Sequence, residues 1–357
     1  MAIVVISNQQ RQPQFTLKYA DNIKWRKALN TVGYATFDLP LSDQYADPAK
    51  IHAGSIVHIY SDSANTNSFA NADWGGIMTN DYEIKPKDGL VTFSAAGLGQ
   101  LIELSIVSAT QTYTNMDLGS VTTGLLQSGD NFGAIPWTAY TVASNGPIVG
   151  SFIAGFGDPV YDDIIKLMGQ YGGDFEVRPD FSYAFYVRQG VDNKNMVARY
   201  GNQGNVSLDT TMHLVNTEMA NQIYYTSNSI TGSIYVADPS AAQYYGKRTL
   251  VINDNGTYVQ LDALTKAQLE LAKRKHPLFV LDHVQIIDSP LLPFSRVHVG
   301  DSIVFEAPSL PYLQSFNGLQ RILAVEYDDV KRIMDLTLGN AVYVVLRGKL
   351  HQVRLYT

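Results

Sequence analysis

Metal, acid–base and nucleophilic chemistry each require particular side chains at particular spacings. The seven histidines stand at 52, 58, 213, 276, 283, 298 and 351. They form no HExxH pair, the spacing that sets two imidazoles on one helix face around a metal. The chain has no cysteine, which excludes disulfides, zinc–thiolate sites, iron–sulfur clusters and thiol nucleophiles. Neither a G-x-S-x-G elbow nor a Walker loop occurs. The stretch AGFGDP (154–159) has glycines without the Lys-Ser/Thr of a phosphate loop and reads as a flexible turn. No catalytic residue, metal or cofactor is expected.

Glycoside hydrolysis needs two carboxyl groups at a set separation. Asp162-Asp163 is better explained as complementing a helix dipole, and Asp328-Asp329 as a strand-to-turn junction. Glu306 and Glu326 fall on neighbouring strands, with nothing to mark either as buried. Sugar stacking would need exposed aromatic rings. Trp25, Trp74 and Trp137 are scattered, which favours packing in the core or at a barrel rim. A glycan-binding receptor-recognition module and a cell-wall-degrading enzyme therefore stand as alternatives to a structural protein.

The elements that would carry such residues are mostly strands. The 357 residues are 45% hydrophobic and 17% charged, as in a globular protein large enough for two or three domains. The net charge of −7 argues against a dedicated nucleic-acid binder. The densest basic cluster, Lys273 to His276, falls where a helix ends and complements its dipole. The N-terminus has no basic region before its short apolar run, and no apolar stretch reaches the ~18 residues of a membrane helix. Synthesis in the cytoplasm and no stable membrane insertion are expected.

Residues 1–105 read as a meander of short strands, among them YATFDLPL, GSIVHIYSD, GGIMTNDYEI and LVTFSAAG. Residues 106–205 change character. DPVYDDIIKLMGQYGG predicts a helix with Asp158 as N-cap, Pro159 in the first helical position and Gly172 as the stop. Ile164, Leu167, Met168 and Tyr171 share its apolar face. DFEVRPD and FSYAFYVRQ follow as a hairpin, giving a small α/β domain. Strands return over 206–345, including HLVNTEMANQIYYTSN, GSIYVAD, DSIVFEA, QRILAVEYDD and IMDLTLG. A helical insertion near 262–276 interrupts them, with Leu264, Leu269 and Leu271 as packing candidates. Residues 346–357 read as a C-terminal arm. GPIVGSFIAGFG (146–157) is the most apolar irregular stretch, and a buried strand or loop is expected there.

Two of these β regions echo one another. The first runs Gly54, Ile56-Val57, Gly76-Ile77 and Tyr82; the second runs Gly300, Ile303-Val304, Gly318, Ile322 and Tyr327. In both, an Ile is followed five residues later by a Tyr. His52 and His298 hold equivalent turn positions. This ordered set predicts a duplication: mainly β (α+β overall), with two similar antiparallel β-barrel domains and an inserted small α/β domain. Three copies of a two-barrel chain would present six similar units to a hexameric partner.

The residues quoted resemble the tail hub proteins of long-tailed bacteriophages. FDLPLSD…GSIVHIY…WGGIMTNDYEI…DGLVTFSAAGLGQLIE is similar to the hub's N-terminal domain, and DDIIKLMGQYGGDFEVRPD…AFYVRQG to its inserted domain. NTEMANQIYY, HPLFVLDHVQIIDSPLLPFSRVHVGDSIVF and RILAVEYDDVKRIMDLTLG are similar to its second barrel. The likeness covers roughly residues 30–340, and its motifs are structural. It implies a homotrimer in the virion tail tip, between a hexameric ring or distal tail protein above and a fibre or spike below. Viral DNA would pass through the lumen without specific binding, and the hub would close or gate that channel. The chain stops soon after the second barrel, so wall digestion and receptor binding are expected to lie with other proteins.

Overall fold

The computed structural model describes residues 2–339, apart from 48, 62–65, 67, 131–136, 144–145, 209–212, 217–218, 228–229, 255–259, 276–278, 311–312 and 314–315. The proposed arm at 346–357 lies outside the described residues.

The first seven strands are β1 (Ile3–Ser7), β2 (Pro13–Leu17), β3 (Asp21–Ala28), β4 (Tyr34–Pro40), β5 (Ile56–Tyr60), β6 (Trp74–Lys85) and β7 (Leu90–Gly97). Alternation decides their faces: Ala35, Phe37 and Leu39 of β4 and Val91, Phe93 and Ala95 of β7 all point into the core.

The next segment comprises α1 (Gln100–Glu103), β8 (Ile106–Val107), β9 (Gln111–Asp117), α2 (Leu118–Ser128), β10 (Gly129–Asp130), β11 (Ala139–Val142), β12 (Ile148–Ala154), α3 (Val160–Tyr171), β13 (Asp174–Val177) and β14 (Ser182–Tyr186). Helix α3 buries Ile164, Leu167, Met168 and Tyr171 against α2 and its neighbours. Its N-cap is Pro159, one residue later than the sequence suggests. The Asp158 carboxylate instead accepts the Gly155 N–H at 2.6 Å, tying down the preceding turn. Gly172, at φ +83°, ends the helix.

The remaining elements are β15 (Asp192–Arg199), β16 (His213–Asn216), β17 (Gln222–Thr226), β18 (Ser233–Ala237), α4 (Pro239–Tyr245), β19 (Thr249–Asn253), α5 (Gln260–Arg274), β20 (Phe279–Ile287), β21 (Ser302–Glu306), β22 (Gly318–Asp328) and β23 (Ile333–Gly339). The stretch from HLVN to IYYT, read as one region of strand, divides. Strand β16 joins the main sheet, whereas β17 to β19 form a separate three-stranded sheet backed by α5.

The protein is mainly β, with two similar antiparallel units and a small α/β insertion. Among the described residues the units do not close into separate barrels. Strands β3 and β22 present free edges and pair with each other, Trp25 opposite Tyr327, so both units run into one 13-stranded sheet. One hydrophobic core therefore holds Val57, Phe37 and Phe93 together with Ile303, Phe305 and Leu336. Strand β15, inside the segment read as insertion, pairs in parallel with β21 and delivers the chain back to this sheet.

Helix α5 packs differently from the sequence expectation. Its buried stripe is Asp262, Ala263, Lys266 and Ala267, while Leu264, Leu269 and Leu271 are only half-buried. Lys266 is buried because Asp254 (3.2 Å) and Asp262 (3.5 Å) neutralise it.

Candidate functional site

Distant stretches of sequence meet at one buried ion pair. Arg321 of β22 places Nη2 2.5 Å from Oδ2 of Asp174 in β13, with the two side chains 3% and 2% exposed. An uncompensated buried charge costs several kcal/mol, so neighbouring groups must saturate both. Arg321 also donates to the carbonyls of Gly300 (3.1 Å) and Gln189 (3.0 Å). Asp174 accepts from the Gln189 N–H (2.7 Å) and from Asn30 Nδ2 (3.3 Å). Asn30, on the loop after β3, accepts the Phe175 N–H at 2.7 Å, and its carbonyl takes the Tyr161 hydroxyl at 3.1 Å. First unit, insertion and second unit are thus locked at a single point.

The phrase HVGDS forms the adjoining seat. Gly190 and Gly300 both adopt positive φ (+88° and +95°), and a Cβ on Gly190 would lie 2.2 Å from the Gly300 carbonyl carbon. Asp301 accepts the Val191 N–H at 2.8 Å, and the Ser302 N–H donates to the Val191 carbonyl at 2.9 Å. Beside the junction opens a cleft of about 910 Å³, bounded in part by Trp25, Lys27, Glu176, Arg178, Tyr186 and Tyr327. Burial lowers the pKa of Lys27 against the opposing pull of Glu176 and Asp73. Arg178 donates to the Tyr186 hydroxyl at 2.5 Å and to Glu176 at 3.4 Å.

The candidate chemical groups are held in structural roles. His58 is fully buried and stacked on Phe69 at 4.2 Å, with Nε2 donating to the Pro179 carbonyl at 2.9 Å. Burial pushes its pKa down to about 4. Asp163 lies in the first turn of α3, where a helix-dipole complement belongs, and it is also buried, which raises its pKa to about 6 with Asp158 adding to the shift. Glu306 pairs with Arg199 at 2.7 Å, and Glu326 accepts the Tyr34 hydroxyl at 3.0 Å. No group of three His, Asp or Glu suited to a metal occurs among the described residues. Trp25 and Trp74 are buried and Trp137 is half-buried, so none offers an open stacking ring. The apolar stretch at 146–157 supplies β12, which buries Val149, Phe152 and Ala154 as expected of a core strand, while Ile148, Ile153 and Phe156 point to solvent.

The hydrogen-bond frame places the repeated residues. The Gly54 N–H donates to Met78 O and the Met78 N–H to Ser55 O, at 3.0 and 2.8 Å; the Gly300 N–H donates to Ile322 O and the Ile322 N–H to Asp301 O, at 2.8 and 2.7 Å. This frame sets Gly54 against Gly300 and Met78 against Ile322. The other pairings read from sequence shift. Ile56 faces Ile77 and Val57 faces Gly76, whereas Ser302 faces Arg321 and Ile303 faces Gln320. Val57 therefore corresponds to Ile303, Ile56 to Ser302, and Ile77 to Arg321. Val304 corresponds to His58, and Gly318, opposite Phe305, to Trp74. Tyr82 is exposed opposite Phe93, while Tyr327 is half-buried opposite Met334. Two irregularities cause the offset: one extra residue before the second Ile-Val, and a larger bulge in β6 than in β22. Sequence reasoning missed Asn30, Asp174, Gln189 and Arg321, for which Gly300-Asp301 was the one local signal.

No family model matches the chain, and no curated protein matches its sequence. Solved structures do match. The prophage tail protein gp18 of Listeria monocytogenes EGD-e aligns with a TM-score of 0.66 at 13% identity, over 97% of this chain and 96% of that one. The 43 kDa tail protein of prophage MuSo2 from Shewanella oneidensis aligns at 0.65 and 12%, over 95% and 97%. The Escherichia coli c3393 protein, a component of the type VI secretion system, aligns at 0.52 and 12%, over 91% and 74%. The fold of this chain is that of phage tail proteins.

Proposed function

We propose that this chain is a structural virion protein, the trimeric hub at the distal end of a phage tail tube. It adapts a hexameric ring above to a fibre or spike below and gates the channel through which DNA leaves. The observation carrying this reading is the repeated frame of Gly54–Met78–Ser55 and Gly300–Ile322–Asp301 hydrogen bonds. Two such units per chain become six in a closed ring of three chains, the number a sixfold partner requires. Residues 1–105 and 206–345 are then the ring-building units, with 106–205 inserted between them. The shared fold supports the coarser role, that of a structural component associated with tails. The net charge of −7 suits a lumen that must not bind DNA, and only carboxylates within roughly 10 Å of the passing phosphates contribute at 0.1 M salt.

Light scattering on the purified protein, with negative-stain images of the same peak, tests the proposal. Three chains in a ring with a central hole and six similar lobes are expected. A protein that remains monomeric even when mixed with its tail-ring partner overturns it.

A further inference from the structure

The separate sheet of β18, β17 and β19 buries one face against α5 and leaves the other to solvent. Tyr224 and Tyr235 stand directly opposite each other on that outer face, 40% and 50% exposed, with ring centroids 4.8 Å apart and planes at 42°. Val251, 57% exposed, extends the row onto the third strand. Polar pairs flank the row on both sides. Thr249 donates to Gln222 Oε1 at 3.2 Å, and Thr226 donates to Asn253 Oδ1 at 2.5 Å. The strand registers place no charged residue on this face.

We infer that this face is a binding platform for a neutral oligosaccharide. Tyrosine rings supply rigid, amphipathic contact area at little entropic cost, and the surrounding amides and hydroxyls supply adaptable hydrogen bonds. Amide nitrogens of Gln222 and Asn253 remain as donors, since their oxygens take the cross-strand bonds. A single-stranded nucleic acid needs a cationic groove, and a membrane surface needs basic residues beside a broad apolar face. The platform has neither. Three strands of five residues cover about 14 by 17 Å, or about 240 Å². A stable protein interface needs about 800 Å² on each side. The face fits a few sugar rings stacked along the tyrosine row.

The inference is independent of the hub reading, because it concerns the full chain in isolation and not its assembly. The test is titration of that protein with cellohexaose, maltohexaose and the hexamer of N-acetylglucosamine, followed by saturation-transfer NMR and calorimetry. Binding of at least one probe is expected, unchanged between roughly 0.05 and 0.5 M salt because neither partner's contact is ionic. Tyr224→Ala and Tyr235→Ser should each weaken it by about tenfold, whereas Tyr224→Phe keeps the ring and most of the affinity. Both tyrosines lie outside the core, so the variants keep their fold, which circular dichroism checks. The inference is overturned if none of the probes binds at millimolar concentration, if binding survives both tyrosine substitutions, or if it disappears with salt. The same holds if the face engages only a tail protein.

Discussion

Arg321 and Asp174 show what a single buried pair does in this protein. Each is saturated by partners from other parts of the chain, so removing one strands the other. Arg321→Met should cost about 3–5 kcal/mol by urea unfolding. Adding Asp174→Leu should not restore the parent value, because the Gln189 N–H and Asn30 amide then lose their acceptor. Full recovery in the double variant would show that the junction is a simple ion pair. His58 and Asp163 give the fold opposing pH dependences. The unfolded chain protonates His58 near 6.5 and the folded chain only near 4. That contribution, roughly 3 kcal/mol at most, is complete above about pH 6.5 and is lost as pH falls through 4. Asp163 runs the other way: its folded pKa, raised from 3.8 to about 6, gives stability that declines as pH rises through that range. Asp163→Asn removes the second slope and leaves the first. Its melting temperature should therefore fall more steeply than the parent's between about pH 6.5 and 4.5. Parallel curves would count against the buried, raised-pKa account of Asp163.

At the scale of elements, close approach and buried charge decide how the insertion docks. Gly190→Ala puts a methyl 2.2 Å from the Gly300 backbone, in a conformation L-residues avoid. A backbone neighbour cannot swing aside, so the yield of soluble protein should fall sharply, while Gly169→Ala, in helix α3 with no neighbour in the way and no positive φ, is far milder. Equal yields would show that the Gly190–Gly300 contact is loose. Helix α5 is tied to α3 through the Tyr171 hydroxyl on Asp262 (2.8 Å), the Lys266 ammonium 5.5 Å from the Tyr171 ring, and Lys273 on the Gly169 carbonyl. Lys266→Met leaves the buried Asp262 and the half-buried Asp254 without their cation, at about 3–5 kcal/mol. Hydrogen exchange should speed up in α5 and β17 while β22 and β23 stay protected. Uniform acceleration across the molecule would mean that α5 does not act as a local unit.

For the whole molecule, the shared core is the controlling feature. Ile303, fully buried, packs in the cluster that spans both β units. Ile303→Asp places an unpaired charge there, and the proposed hub should then fail to assemble, seen as absence of complete tail tips in a complementation assay. Normal particles would sink the view that this unit builds the ring. Because β3 and β22 form one seam, damage in the second unit should also destabilise the first, and a single cooperative unfolding transition is expected for the main sheet.

Local periodicity determined much of this protein without help from tertiary structure. The spacing of Ile164, Leu167, Met168 and Tyr171 encodes α3, alternation encodes β4 and β7, and Gly54 and Gly300 mark two equivalent turns, because these signals depend on neighbours a few residues apart. The register did not follow from the same motifs. An inserted residue before Ile303 and unequal bulges move Ile77 against Arg321, and an Ile or Val looks alike at either position. The Asp174–Arg321 junction joins residues 147 apart, and the Tyr224–Tyr235 row exists only once two strands pair. The β3–β22 seam likewise replaced two expected barrels with one sheet. A side chain's own segment sets its face; its partners are set by where the backbone edges meet.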